Sequence, residues 1–454
     1  MLSPRLQLLH EGLQKLLRRN AIAHATRLLA RARPADVALV MRFLDDRQQR
    51  SVFDLLPDDE ARGETLTELD DHLVWPLLAN RDTAELARII DCMGGDDQAD
   101  VLSELPQDVR EEVLAALLPD DAVEVEDLLH YDPETAGGIM SPDFFALAAA
   151  TTGSEAIRAL QATDDIEMAF YIYVINEPGH LVGVVSLRAL VIHPPTTPLH
   201  EMMVTDVISA TVETDQEDVA RLAARYNLLA IPVVNDANRL VGIVTIDDVV
   251  DVIREEATED ILKMAGADES AYEGLSIFRN FRIRAPWLFA TWLGGLAASI
   301  LIGQFEAQLQ ATVALAAFIP IVLGMGGNVG IQTATIIVRG LATGHVSSNV
   351  GWEYVWRETG IGILLGSLYG LLLALYALVV YTDMVGVGSL ALTVGVSILA
   401  SMASSATVGA VTPLVFNRFN IDPAVATGPV VTTSVDVLGI LVYFMTATFV
   451  GAGG

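Results

Sequence analysis

Two sets of carboxylates in this sequence stand where their type and spacing would do chemistry. The first is a single residue, Asp436, near the middle of the otherwise apolar stretch VATGPVVTTSVDVLGILVYF at 425–444. A charge at mid-bilayer depth costs roughly 2.5–3.5 kcal/mol even on lenient insertion scales, so such a residue usually faces a cavity or a bound ion. No Lys, Arg or His falls inside the neighbouring apolar stretches to pair with it. Its countercharge is then a passing cation; the alternative is a protonated carboxyl bonded to a neighbouring helix. The second set lies in IDDVVDVIREEATEDILKMAGAD at 246–268, where Asp247, Asp251, Glu255 and Glu259 recur at every fourth residue and Asp248, Glu256 and Asp260 form a neighbouring stripe. Like charges one helical turn apart weaken a helix by about 0.2–0.5 kcal/mol per pair. Two such stripes invite a hard cation that takes oxygen ligands. The alternative is an acidic face solvated on a salt-adapted protein.

The rest of the chain must position these groups. Its 454 residues carry a net charge of −31, unevenly divided. From residue 285 onward there are six acidic and three basic residues, so residues 1–284 hold −28 of the total. A strongly acidic soluble part precedes a nearly uncharged one, which argues against nucleic acid as a partner and for cations. With 25 arginines and only two lysines, Lys15 and Lys263, salt adaptation also accounts for part of the acidity. Cys92 is the only cysteine, which rules out an intrachain disulfide and fits a reducing compartment. The amphipathic start, MLSPRLQLLHEGLQKLLRRN, has no long apolar core of the signal-peptide kind.

Five apolar stretches, at 285–305, 312–338, 360–381, 388–416 and 424–450, are long enough to cross a bilayer. Basic residues before the first, between the second and third, and between the fourth and fifth predict a cytosolic N-terminus and an extracellular C-terminus. The lipid bilayer of the cell (plasma) membrane is therefore an expected partner. An odd number of spans offers no internal two-fold, so a homodimer is the default. Asn328 and Gln332, one turn apart in the second stretch, are candidates to line a polar path. The small residues of the second, fourth and fifth stretches read mainly as helix packing.

Residues 1–130 show helical periodicity throughout, and VFDLLPDDEARGETL resembles VLSELPQDVREEVLAAL, suggesting a stacked repeat of about 35–40 residues. Further on, YIYVINEPGHLVGVVSLRAL and LAIPVVNDANRLVGIVTIDDV are two versions of one strand–turn–strand–helix pattern. That duplication resembles a tandem CBS-domain pair, many of which bind adenine nucleotides. In the second copy Thr245 with Asp247 matches the nucleotide-type signature, so ATP at the CBS pair is a candidate cofactor; the first copy has Ser186 with no following carboxylate.

The order of parts, together with the run at Gly324–Gln332 and NIDPAVATGPVVTTSVD at 420–436, resembles the MgtE family of magnesium channels along essentially the whole chain. The fold this implies is a multi-domain membrane protein. It has an all-α helical-repeat N-domain (1–130), an α/β CBS pair (131–200 and 201–256), an acidic connecting helix (246–275) and a five-span transmembrane domain (285–454). The function it implies is a homodimeric Mg2+-selective channel closed by cytosolic Mg2+, with Asp436 holding a hydrated ion in the pore. By the same resemblance, regulatory Mg2+ is held by Glu64, Asp96 and Asp100 of the N-domain, Asp215 and Glu217 of the second CBS copy, Asp248, Asp251, Glu256, Glu259 and Asp260 of the connecting helix, and Asp422 at the cytosolic mouth. Asn227 stands where the family can carry Asp. Two other functions are weighed against this one: a proton- or Na+-coupled carrier using Asp436, and a nucleotide-sensing CBS membrane protein. No nucleophile–base set, phosphate-binding glycine loop or Cys/His cluster supports an enzyme.

Overall fold

The computed structural model describes residues 3–163, 170–267, 277–346 and 351–450. It comprises two compact units, Met1–Arg254 and Glu255–Gly454.

The N-domain is a run of short helices from Pro4–Arg18 to Pro119–Leu128. Aspartates start many of them. Asp45, Asp58 and Asp82 each accept a hydrogen bond from the backbone N–H three residues on, at 2.9, 2.9 and 2.7 Å. Such caps satisfy orphan donors and complement the helix dipole, so part of the acidity builds the fold. Alternate helices stack: Pro34–Met41 packs on Asp59–Thr67, that on Thr83–Ile90, and that on Gln107–Leu114. Their starts at 34, 59, 83 and 107 give a repeat of 24 or 25 residues, not the expected 35–40. Each unit is only two helices of 8 to 10 residues with tight turns, and the two similar sequence phrases lie two units apart. Leu13, Phe53, Leu66, Ile89, Ile90 and Leu102 form the inner seam. The same apolar core continues into the second CBS copy through Val219, Val244 and Val249, tying the two together.

The CBS pair forms two matching three-stranded sheets, β1(Ala146–Ala148)-β2(Tyr171–Ile175)-β3(Leu181–Ser186) and β4(Ala210–Thr211)-β5(Ala230–Val234)-β6(Leu240–Thr245). In each, the first pair is parallel and the second antiparallel, and Ser186 and Thr245 occupy the same place in the register. The copies meet reciprocally: Leu181 N–H donates to Asn238 at 3.1 Å and Leu240 N–H to Gly179 at 3.2 Å. The connecting helix is continuous over Ile246–Met264 and ends at Gly266, whose φ of +68° suits glycine. It is shorter than the 246–275 expected, and residues 268–276 lie outside the described residues.

The membrane unit has helices Ile277–Gln304, Ala314–Ala342, Gly351–Val380 and Val387–Arg418, and a fifth that is broken. Most run past the apolar windows because backbone bonding continues beyond the hydrocarbon edge. Arg357 and Glu358, expected ahead of the third span, therefore lie within its helix. The fifth span is not one helix over 424–450 but Pro423–Thr427 followed by Pro429–Val450, hinged at Gly428 with ψ −119°. Pro429 lacks an N–H and disfavours helical geometry in the residue before it. The Gly428 carbonyl starts the second segment, accepting from Thr432 N–H at 3.2 Å and from Thr432 Oγ1 at 3.1 Å.

Small residues set how closely the spans approach. Thr393, Ser397, Ser401 and Ser405 form a buried stripe on the fourth span. A Cβ on Gly409 would collide with the carbonyl oxygen of Gly330 on the second span, whereas one on Gly360 would meet open space. Gly409→Ala is therefore expected to destabilise the membrane unit by about 1–3 kcal/mol, while Gly360→Ala is neutral or slightly stabilising. Thermal unfolding of the detergent-solubilised variants measures the difference.

Candidate cation sites

Carboxylates gather at two places, one in each unit. In the first unit, Asp96 stands in the first turn of Gly95–Ser103, bonded by the Ser141 hydroxyl, with its Oδ1 buried and without a hydrogen-bond partner. Burial, then the Asp247 charge, holds its pKa above the ordinary carboxylate value. Asp248 lies within electrostatic reach of it, and burial followed by the Asp96 and Asp247 charges pushes Asp248 up to about 7. The Thr245 hydroxyl, buried at the end of β6, lies within hydrogen-bonding distance of Asp247 and, at 2.7 Å, of Asp248, with one proton to give to either. Glu124, which sequence reading passed over, is raised by burial and by Asp143, Asp121 and Asp96. A carboxyl group with an unsatisfied oxygen among like charges suits a hard, hydrated cation.

The second gathering is at the end of the connecting helix and the start of the fifth span. Lys263 Nζ lies 2.5 Å from Glu259 and 2.8 Å from Asp422. Asp422 also caps Pro423–Thr427, accepting from Ala424 N–H at 2.7 Å. Burial, then the charges of Asp422 and Glu256, raises Asp260. Burial pulls the Lys263 ammonium down, but its bonds to Asp422 and Glu259 outweigh that and hold it above its ordinary value. Sequence reading missed Lys263 as a site residue. Its position four residues after Glu259, and the rarity of lysine here, were the available signals.

Other expected ligands are otherwise engaged. Asp215 caps Gln216–Tyr226 through Glu217 N–H at 2.9 Å, and Glu217 pairs with Arg221 at 2.8 Å. Asp251 is exposed and pairs with Arg254 at 2.9 Å. Asp100 is exposed on the helix that carries Asp96. Glu64 is exposed beside Asp58 and Glu60 in a separate groove. Among the described residues no three Asp, Glu, His or Cys side chains close on one point as a bare-ion cage would require. Mg2+ keeps several waters, so ligands spread at second-sphere distance remain compatible with it. Asn227 has a structural reason of its own: with φ +53° it ends Gln216–Tyr226 in the left-handed conformation, which Asn tolerates better than most residues.

In the membrane unit, Asp436 is half-buried and makes no hydrogen bond or ion pair among the described residues. Its neighbour Val435 packs inward on Gly326 and Gly330 of the second span. At 100° per residue, Asn328 and Gln332 point away from that contact, and both are exposed on the surface of the unit. Glu358 is more deeply buried, at 3 % exposure, with Arg357 Nε 3.9 Å away.

Between about pH 4 and 7 the folded chain holds a proton at Asp248 that the unfolded chain releases, so stability rises as pH falls through this window. Asp248→Asn is expected to raise stability at pH 7.5, without divalent cations, by about 2–4 kcal/mol and to flatten that dependence. Thermal scans of the full chain at pH 5.5 and 7.5 give the comparison.

Comparison with known proteins agrees with this geometry. The family described as a divalent cation transporter matches residues 319–446, the MgtE intracellular N domain 32–134, and the CBS domain 136–194 and 199–255. The magnesium transporter MgtE of Thermus thermophilus is 40% identical over 78% of this chain and 78% of its own. That of Bacillus subtilis is 31% identical over 95% of both. A crystal structure of the cytosolic domain of the Mg2+ channel MgtE in complex with ATP is 34% identical, covers 54% of this chain and 99% of its own, and superposes with a TM-score of 0.51. A helical N-domain, a CBS pair and five membrane-length helices in this order, with relatives that are transporters rather than enzymes, identify the chain as a member of the MgtE family.

Proposed function

We propose that this protein is a homodimeric, Mg2+-selective channel of the cell membrane, with its N-terminus cytosolic and its C-terminus outside, closed by Mg2+ on the cytosolic side. The observation that carries this reading is Asp436, a carboxylate in the fifth span without a cation or donor of its own among the described residues. Asn328 and Gln332 support it, because two amides exposed on a span need water or a second copy against them. A two-fold axis along that face would bring two Asp436 side chains toward one aqueous path.

The chemistry follows from the ion. Mg2+ sheds water reluctantly, so a pair of carboxylates acting through its hydration shell would attract it without dehydrating it. Binding of that strength still lets the ion leave, as conduction requires. On the cytosolic side, Asp96 with Asp248, and Glu256, Glu259 and Asp260 with Asp422, are the sites where bound Mg2+ would offset repulsion and stabilise the closed form. The remaining regulatory ligands, Glu64, Asp100, Asp215, Glu217 and Asp251, would contribute by rearranging, since Asp215, Glu217 and Asp251 must release their present partners. Such ions shift the equilibrium only through sites that exist mainly when closed. ATP at the second CBS copy is a second reading, favoured by the Thr245–Asp247 pair and by the relative's cytosolic domain in complex with ATP.

The deciding experiment is Mg2+ uptake into proteoliposomes with an internal indicator. The native chain is expected to fill vesicles without a proton or Na+ gradient, and Asp436→Asn to lose about tenfold or more of the Mg2+ flux or its selectivity over monovalent ions. Uptake that stops when both gradients are collapsed would favour a coupled carrier. An Asp436→Asn variant with unchanged flux and selectivity would place the ion path elsewhere.

A further inference from the structure

We infer that Lys263 is a tethered counter-ion at the mouth of the membrane unit, bridging Glu259 and Asp422 and holding the position a divalent cation must take to link the same two carboxylates. The geometry is direct: one ammonium lies 2.5 Å from a carboxylate of the connecting helix and 2.8 Å from one at the start of the fifth span. Asp260, on the same helix, feels both the Lys263 charge and that of Asp422, so the ammonium sits within a wider acidic cluster. A plain helix-stabilising role explains the Glu259 contact, four residues back, and a lysine in a last turn also complements the helix dipole. Neither explains the contact with Asp422, which belongs to another helix.

The choice of residue matters in a chain with 25 arginines and two lysines. A guanidinium would clamp both carboxylates as a rigid, multidentate fork. An ammonium is a compact, strongly hydrated point charge on a flexible stem, closer to a small cation and easier to displace. When a divalent ion arrives, the ammonium swings to water and the cluster exchanges one positive charge for two. The cost of removing the ammonium is subtracted from the ion's affinity, so Lys263 sets how much Mg2+ is needed. Its physiological meaning rests on the closure reading above, whereas the contact and the competition do not.

The test uses the full chain, in detergent for Mg2+ calorimetry and in proteoliposomes for flux. Lys263→Met removes the charge and keeps the stem; Lys263→Gln serves the same purpose if the Met variant does not fold. Either is expected to bind Mg2+ more tightly and to close at about two- to fivefold lower Mg2+, the size of one partly exposed ion pair. Lys263→Arg stays at or above the native value, and the gain shrinks when Asp422→Asn is already present. An unchanged Mg2+ affinity in the neutral variants overturns the inference, and a weakened one makes the ammonium a strut of the closed form. If native flux ignores Mg2+, the closure reading falls, and calorimetry still decides the competition at Lys263.

Discussion

Like charges held together where water is scarce are the constraint on which this structure depends. Asp96 and Asp248 in the first unit, and Glu259, Asp260 and Asp422 in the second, stand close enough to repel one another. In the second cluster a single ammonium, Lys263, stands against both Glu259 and Asp422. Cations bound at such clusters would stabilise the form that holds the carboxylates together, which is the basis of the closure proposed above.

The surrounding architecture serves that arrangement. One apolar core running from the N-domain helices into the second CBS copy brings Asp96, at the start of Gly95–Ser103, within reach of Asp248, just after β6. In the membrane unit, glycines let the second and fourth spans touch backbone to backbone, and the Gly428–Pro429 break lets Asp422 sit at the head of a separate short helix. The carboxylate clusters are thus set by packing and backbone geometry at least as much as by the acids themselves.

Much of this was legible in the sequence because it depends on local pattern. The duplicated strand–turn–strand phrase gave both CBS copies, and apolar length gave five spans. The N-domain period was misjudged because the similarity between its two phrases spans two units of 24 or 25 residues. Apolar length alone marks the fifth span but not its break, for which Gly428–Pro429 carries the signal. Site residues were harder. A residue's number of neighbouring charges depends on tertiary contacts, so Asp215 as a helix cap and Glu217 as a partner of Arg221 looked the same in sequence as Asp248. Lys263 was hidden for the opposite reason: its second partner, Asp422, is far away in the chain.

The central claim is that a divalent cation, rather than ionic strength, is the missing countercharge of the acidic segments. Limited proteolysis of the full chain in nanodiscs tests it most directly, following cleavage near residues 130–140 and just after the connecting helix, near 265–267. Millimolar Mg2+ should slow cleavage at both, and K+ at equal ionic strength should not. Equal protection by the two salts would mean that simple screening quiets the repulsion, and that the carboxylate clusters are not ion sites.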